Sequence, residues 1–207
     1  MREDRIVLAG RELVIARPDD PESLIDESRF DEDEFLPYWA ELWPSAIALA
    51  RYLEAHDLRG CRVLEVGCGL AVPSFAAALA GAEVLATDWA PEAIEIVDQN
   101  AAANGLTVTA AVFDWNSGRV PGAAPFDLVV AADVLYEARN AEPLLALLDG
   151  TVAPAGEAAI ADPGRRHAGA FFEAARAAGW STELIAAAEV PAGGIAVMQR
   201  GVPPGGG

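Results

Sequence analysis

The chain has 207 residues, 53% of them hydrophobic, with 14 basic and 32 acidic side chains and a formal net charge of −18. That length suits one α/β domain with a sizeable core. No apolar run reaches the roughly 18 residues of a membrane-spanning helix, and so acidic a surface repels phosphate backbones, which excludes nucleic acid as a favoured partner.

The start, Met1-Arg2-Glu3-Asp4-Arg5, is charged and no apolar leader core follows it. The expected compartment is the cytoplasm, in a bacterial cell. The only cysteines, Cys61 and Cys68, read as small packing residues of a reducing compartment rather than a disulfide pair. His56 and His167 lie far apart and share no metal-ligand spacing, so no metal site is expected.

Ile6-Val7-Leu8 and Leu13-Val14-Ile15 flank Ala9-Gly10-Arg11-Glu12 and read as a hairpin. It belongs to an acidic N-terminal extension, residues 1–36, whose stretch from Pro18 to Glu34 reads as an exposed loop, a short helix or a flap over substrate. A helix starts at Pro44, with Ala46, Ile47, Leu49, Ala50 and Leu53 on its apolar face.

Strands and helices then alternate. Strands are expected at 62–66, 83–87, 108–113, 127–132 and 157–161. Helices are expected at 70–79, 91–103, 142–148 and 168–178. Asn104-Gly105 accepts the left-handed backbone that ends a helix. Two last strands, near 181–187 and 194–199, are joined by Pro191-Ala192-Gly193-Gly194 as a hairpin, and the tail 201–207 reads as disordered. The pattern predicts an α/β, Rossmann-like, doubly wound sheet of seven strands, mostly parallel, closed by a C-terminal antiparallel hairpin across 37–200.

The first strand of that sheet ends in Glu65-Val66-Gly67-Cys68-Gly69, and the second ends at Asp88. Ligands of such sheets lie beyond the carboxyl ends of the strands, where glycines admit close approach and a carboxylate can grip ribose hydroxyls. A dinucleotide fingerprint would carry a third glycine where Val72 stands. Glu65 beside the turn would also repel a pyrophosphate, whereas it suits a cation. S-adenosyl-L-methionine carries a sulfonium and an ammonium and no phosphate, and fits better. Asp114-Trp115 ends strand three, where the carboxylate could accept from an adenine amino group and the indole pack on the base. A core tryptophan beside a solvated aspartate explains the same pair.

These residues occur in a known order. Trp39-Ala40-Glu41-Leu42-Trp43-Pro44-Ser45, Val63 to Leu70, Ala86-Thr87-Asp88, Asp114-Trp115 and Ala132-Asp133-Val134-Leu135-Tyr136 together resemble methyltransferase family 16. Its members are seven-β-strand enzymes rich in protein-lysine methyltransferases. Pro37-Tyr38-Trp39-Ala40 and Asp162-Pro163-Gly164-Arg165 are similar to the branch that acts on the β subunit of electron transfer flavoprotein.

The resemblance implies an S-adenosyl-L-methionine-dependent methyltransferase whose Glu65, Gly67, Cys68 and Gly69 meet the methionine end of the cofactor. Asp88, with neighbouring Trp89, would bind the ribose. Asp114 and Trp115 would take the adenine. Trp43 would wall the pocket, Ala132 would also belong to the cofactor site, and Asp133 and Tyr136 would line the acceptor's entrance.

For the mechanism, Asp133 is expected to orient a lysine amine and help its proton leave. Tyr136 and Trp39 would hold the amine by cation–π contact. The alternative is that Asp133 caps the next helix and Tyr136 packs. The loop from Ala161 to His167 either meets the acceptor protein or forms a helix cap. The expected partner is a protein with a basic, lysine-bearing surface, or a small-molecule amine, met by a monomer. Two rivals use the same scaffold: a nicotinamide-like small-molecule N-methyltransferase and a non-catalytic binding module. All fourteen basic residues are Arg, so a lysine-directed enzyme could not modify its own side chains.

Overall fold

The structure, a computed structural model, describes residues 1–20, 37–117, 120–121 and 125–201. The expected flap within 18–34 and the disordered tail fall mostly outside them. Strands β1 (Arg2–Leu8) and β2 (Arg11–Arg17) form the N-terminal hairpin. Its two-residue turn puts Ala9 and Gly10 at φ 49° and 73°, the left-handed pair that lets a tight hairpin follow the strand twist. Helix α1 (Pro44–Glu54) follows, with Pro44 at its first position.

The body is β3 (Arg62–Val66), α2 (Val72–Leu79), β4 (Glu83–Asp88), α3 (Pro91–Ala103), β5 (Thr109–Val112), β6 (Phe126–Ala132), α4 (Ala141–Thr151), β7 (Val152–Asp162), α5 (Ala168–Ala177), β8 (Trp180–Ile185) and β9 (Gly194–Arg200). The seven-stranded sheet runs β5-β4-β3-β6-β7-β9-β8. All neighbours pair in parallel except β9, which is antiparallel to both β7 and β8. The chain winds outward from β3 to β4 and β5, then returns to β6 on β3's other side. Between β3 and β6 lies the switch point where ligands of open α/β sheets bind.

Side-chain alternation sorts each strand's residues onto two cores. Val63 and Val130 join α1, α2, α3 and the hairpin's Leu8, Leu13 and Ile15 on one face. Leu64, Val66, Val129 and Ala131 join Leu144, Leu148 and Phe171 of α4 and α5 on the other. Burial on both faces explains why β6 reads as a continuous apolar run. The same parity sends Glu65 to the α2 side.

The hairpin shares the first core, and it is tied to α3 by two asparagines. Asn104 accepts from the Val14 N–H (2.9 Å) and donates to its carbonyl (2.8 Å). Asn100 does the same to Ala16, at 2.8 and 3.0 Å. Arg17, buried, pairs with Asp4 and with Glu41, both at 2.5 Å.

Candidate functional site

A cavity of about 410 Å³ opens at the carboxyl ends of β3, β4 and β6, a volume in the range of small-ligand sites. The turn after β3 forms its floor. Gly67 and Gly69 have φ 64° and 50°. A Cβ at Gly69 would lie 3.0 Å from the Trp39 carbonyl oxygen, and one at Gly67 would lie 3.0 Å from Val134 Cγ1. Both positions therefore need glycine twice over, for conformation and for space. The backbone stays bare where a ligand would lie.

Two carboxylates face this floor. Asp88 ends β4 and accepts from the N–H groups of Gly69 (2.9 Å) and Ala90 (3.0 Å), which ties the glycine turn to the neighbouring strand. Glu65 is 1% exposed. Its Oε2 accepts from the Ser74 N–H (2.9 Å) and hydroxyl (2.5 Å) at the start of α2. Burial, only partly offset by Ser74, pushes the Glu65 carboxyl up to about 8, and the charge of Asp88 adds to the rise. Burial also raises Asp88, against the pull of its N–H donors. Cys68, between the glycines, has its thiol raised well above the usual range by burial and the same two carboxylates. That disfavours the thiolate, the form a nucleophilic cysteine needs. A cation entering the cavity would relieve this crowding of negative charge, and a phosphate would worsen it.

The walls are aromatic. Trp43, Trp89 and Trp115 all line the cavity, as does Ala132. Trp115 packs with the second core beneath it. Tyr38 stands edge-on to Tyr136 (5.2 Å between centroids) and to Trp43 (6.1 Å). The Trp43 indole N–H donates to the Tyr38 carbonyl at 2.8 Å and fixes that corner. Tyr136 is raised from its ordinary value by burial and by Glu137.

At the mouth, Asp133 has φ 59°, a left-handed conformation that costs a non-glycine residue ~1–3 kcal/mol. Its N–H still continues the sheet by donating to the Ala161 carbonyl at 2.9 Å. The strain turns the carboxylate, 7% exposed overall, toward the cavity instead of capping a helix. Helix α4's preceding turn is held otherwise: Asn140 donates to the Val134 carbonyl at 2.8 Å.

Twelve of the thirteen residues expected from sequence line this one cavity: Trp39, Trp43, Glu65, Gly67, Cys68, Gly69, Asp88, Trp89, Trp115, Ala132, Asp133 and Tyr136. Asp114 does not. It is exposed, and its Oδ1 accepts from the N–H and side-chain amide of Asn116 at 2.8 and 2.9 Å, closing its own turn. The sequence gives no individual role to Tyr38, Glu41 or Glu137, and places Arg165 only within the loop from Ala161 to His167; all four also line the cavity. Arg165 Nε donates to Asp133 Oδ1 at 2.7 Å. The signal for Arg165 was present only as a loop motif, because its partner stands 32 residues away in sequence. Among the described residues no group of histidine, cysteine and carboxylate side chains could hold a metal.

Comparison with known proteins agrees with this architecture. A family model described as lysine methyltransferase matches residues 27–177. The electron transfer flavoprotein beta subunit lysine methyltransferase of Xenopus laevis is 37% identical over 133 residues, 62% of this chain and 53% of that protein. Human histone-arginine methyltransferase METTL23 is 33% identical over 117 residues, 52% of this chain and 60% of that one. The chain thus spans little more than half the length of these relatives.

Among solved structures, the 16S rRNA N2 G1207 methyltransferase RsmC of T. thermophilus, in complex with AdoMet and guanosine, aligns with a TM-score of 0.69 at 17% identity. The match covers 97% of this chain and 50% of that one. A TehB-like SAM-dependent methyltransferase from Corynebacterium glutamicum aligns at 0.61 and 24% identity, over 78% and 89% of the two chains. These likenesses establish the fold, and the family model, which covers most of the sequence, establishes the rest: the chain belongs to the lysine methyltransferase family.

Proposed function

We propose that the chain is an S-adenosyl-L-methionine-dependent N-methyltransferase that modifies a lysine of a protein. The observation that carries this reading is the pairing of two environments in one cavity. A buried, electron-rich floor (Glu65 and Asp88) suits a cationic cofactor, and an aromatic mouth around Asp133 suits an amine. When bound, the cofactor supplies an electrophilic methyl group.

The residues present fit that cofactor. Glu65 would hold its ammonium group and Asp88 its ribose hydroxyls. The bare backbone of Gly67 to Gly69 would admit its chain. Trp115 would face the adenine, with Trp89 and Trp43 excluding water. Asp114 Oδ1 is taken by Asn116, so an adenine amino group would be met by Oδ2. At the mouth, Tyr38, Trp43 and Tyr136 would orient the acceptor by ring contact, worth on the order of 1 kcal/mol each. Asp133 would accept a hydrogen bond from the amine and aim its lone pair along the line of displacement.

Two further features belong to the same proposal. The relatives' names point to protein acceptors, a flavoprotein subunit and a histone. The strongly acidic chain would complement a basic surface on such an acceptor. Cys61 and Cys68 are both unpaired, as suits a cytoplasmic, monomeric bacterial enzyme. Among the described residues, no helix is long and apolar enough to cross a membrane.

The test is methyl transfer from labelled S-adenosylmethionine to two acceptors: purified electron transfer flavoprotein β subunit and a fractionated bacterial lysate. Label on discrete protein bands is expected, identified as methyllysine by mass spectrometry. It should be lost in Asp133→Ala while S-adenosylhomocysteine still binds. Label confined to small molecules would replace the lysine reading with the small-molecule one. Label undiminished in Asp133→Ala would remove Asp133 from the mechanism.

A further inference from the structure

The aromatic mouth already contains a cation. Arg165 Nε donates to Asp133 Oδ1 at 2.7 Å, and its guanidinium carbon lies 5.9 Å from the centre of the Trp43 ring. Thus the carboxylate and the indole assigned above to the acceptor amine are both engaged by a side chain of the protein itself.

The placement is built into the loop between β7 and α5. Asp162 Oδ1 accepts from the N–H groups of Gly164 (2.8 Å) and Arg165 (2.6 Å). Gly164 has φ 94°, and a Cβ there would come within 2.7 Å of the Ala192 carbonyl oxygen. The loop is therefore pinned from two sides. The Asp133 side chain is 5% exposed and that of Arg165 35%, so the guanidinium is the wetter partner and closes the carboxylate from the solvent side.

Methyl transfer needs an amine lone pair, hence a neutral amine. An unpaired carboxylate within about 4–6 Å does the opposite, because it favours the ammonium and raises the amine's pKa by roughly 1–3. A carboxylate already neutralised by a guanidinium can still accept a hydrogen bond without holding the proton on.

We propose that Arg165 is a positioning residue, a fixed counter-charge to Asp133 that tunes the acceptor site to receive lysine as the neutral amine. The idea rests on the lysine reading given above. It makes Arg165 a determinant of which protonation state binds, acting through Asp133. Among the described residues, the other charged or titratable groups facing the mouth are Asp162, Tyr38, Tyr136, Glu137 and Glu41, with Asp88 deeper in the same cavity. They are the same in wild type and in Arg165 variants, so a difference between those proteins reports Arg165.

The test uses the full chain loaded with S-adenosylhomocysteine and a permanently charged probe, n-butyltrimethylammonium, titrated by calorimetry. Arg165→Gln frees Asp133 and should bind the probe about tenfold tighter than wild type. Arg165→Lys should resemble wild type. Unchanged S-adenosylhomocysteine affinity in both variants shows that they fold. No gain in Arg165→Gln, or an equal gain in Arg165→Lys, overturns the proposal.

A second readout is the acid limb of the kcat–pH profile on the flavoprotein β subunit. It should move up by about one pH unit in Arg165→Gln and stay in place in Arg165→Lys; an unmoved limb in Arg165→Gln also overturns the proposal. If no protein accepts methyl from the wild type, the lysine reading falls, while the probe titration still decides whether Arg165 screens Asp133 from cations.

Discussion

Asp88 accepts backbone hydrogen bonds that the fold needs and offers its charge to a ligand, so its removal separates binding from folding only by degree. Asp88→Ala frees the N–H groups of Gly69 and Ala90 and takes away the carboxylate proposed for the ribose. Hydrogen bonds to charged groups contribute ~1.5–3 kcal/mol, so S-adenosylhomocysteine should bind roughly 10–100-fold more weakly by calorimetry. Affinity within threefold of wild type would remove Asp88 from the cofactor site.

At this scale the site was legible where one residue's position on a strand decides its role. Glu65 stands one residue before the end of β3 and Asp88 ends the adjacent parallel β4, so the topology alone puts them at one rim. Arg165 was not legible, because its chemistry is a contact with Asp133 that only the juxtaposition of two loops creates. Asp114 stands outside the cavity lining for a related reason. It follows the end of β5, and the neighbouring Asn116 donates to it within its own turn.

The contact between hairpin and α3 shows what an element adds. Asn100 and Asn104 stand one helical turn apart on one face, a rise of about 6 Å. Alternate residues of a strand are about 6.6–6.8 Å apart. The two amides can therefore match Val14 and Ala16 on the free edge of β2, each giving and taking one bond as a neighbouring strand would. The exposed edge is closed without another strand.

From sequence, Asn104-Gly105 reads as a helix end. The glycine takes that part, with φ 60°, while Asn104 stays near φ −94° and gives its amide to the hairpin. No local pattern announces such a partner, because Val14 is 90 residues away. The clasp makes a directional prediction. Asn104→Asp replaces the donor facing the Val14 carbonyl with a buried oxygen and should destabilise the fold by about 1–3 kcal/mol in urea unfolding. Asn100→Ala and Asn104→Ala should be non-additive in combination, since they anchor one edge. Additive losses would mean that the two amides act independently. The hairpin also reaches the cavity, for Arg17 ties it to Glu41 on the cavity wall. Loosening the clasp should therefore weaken S-adenosylhomocysteine binding as well as stability.

For the molecule as a whole, the ligand-free protein should be more stable in mild acid than at slightly alkaline pH. Glu65 has its carboxyl raised from 4.5 to about 8. Asp88 and Asp162 are raised too, by burial, and Asp162 Oδ2 has no hydrogen-bond partner among the described residues. Between their unfolded and folded pKa values these groups hold protons in the native state that the unfolded chain has released. Raising the pH through that window therefore favours unfolding. For Glu65 the full window, from 4.5 to about 8, corresponds to a loss on the order of 5 kcal/mol. The net charge of −18 works in the same direction, since each further ionisation adds to self-repulsion.

The melting temperature of the apo protein should accordingly fall from pH 5.5 to 8.5, and Glu65→Gln, which cannot ionise, should flatten the slope. Cofactor binding couples to the same protons. A cationic ligand group beside Glu65 favours the carboxylate, so binding at pH 7 should expel a proton and tighten as pH rises toward 8. Calorimetry in phosphate and in Tris should then give apparent enthalpies that differ by close to one proton's ionisation heat. Equal enthalpies in the two buffers, with an unchanged melting temperature across the range, would show that Glu65 is already ionised in the empty cavity. The floor would then be a preformed anion rather than one completed by its ligand.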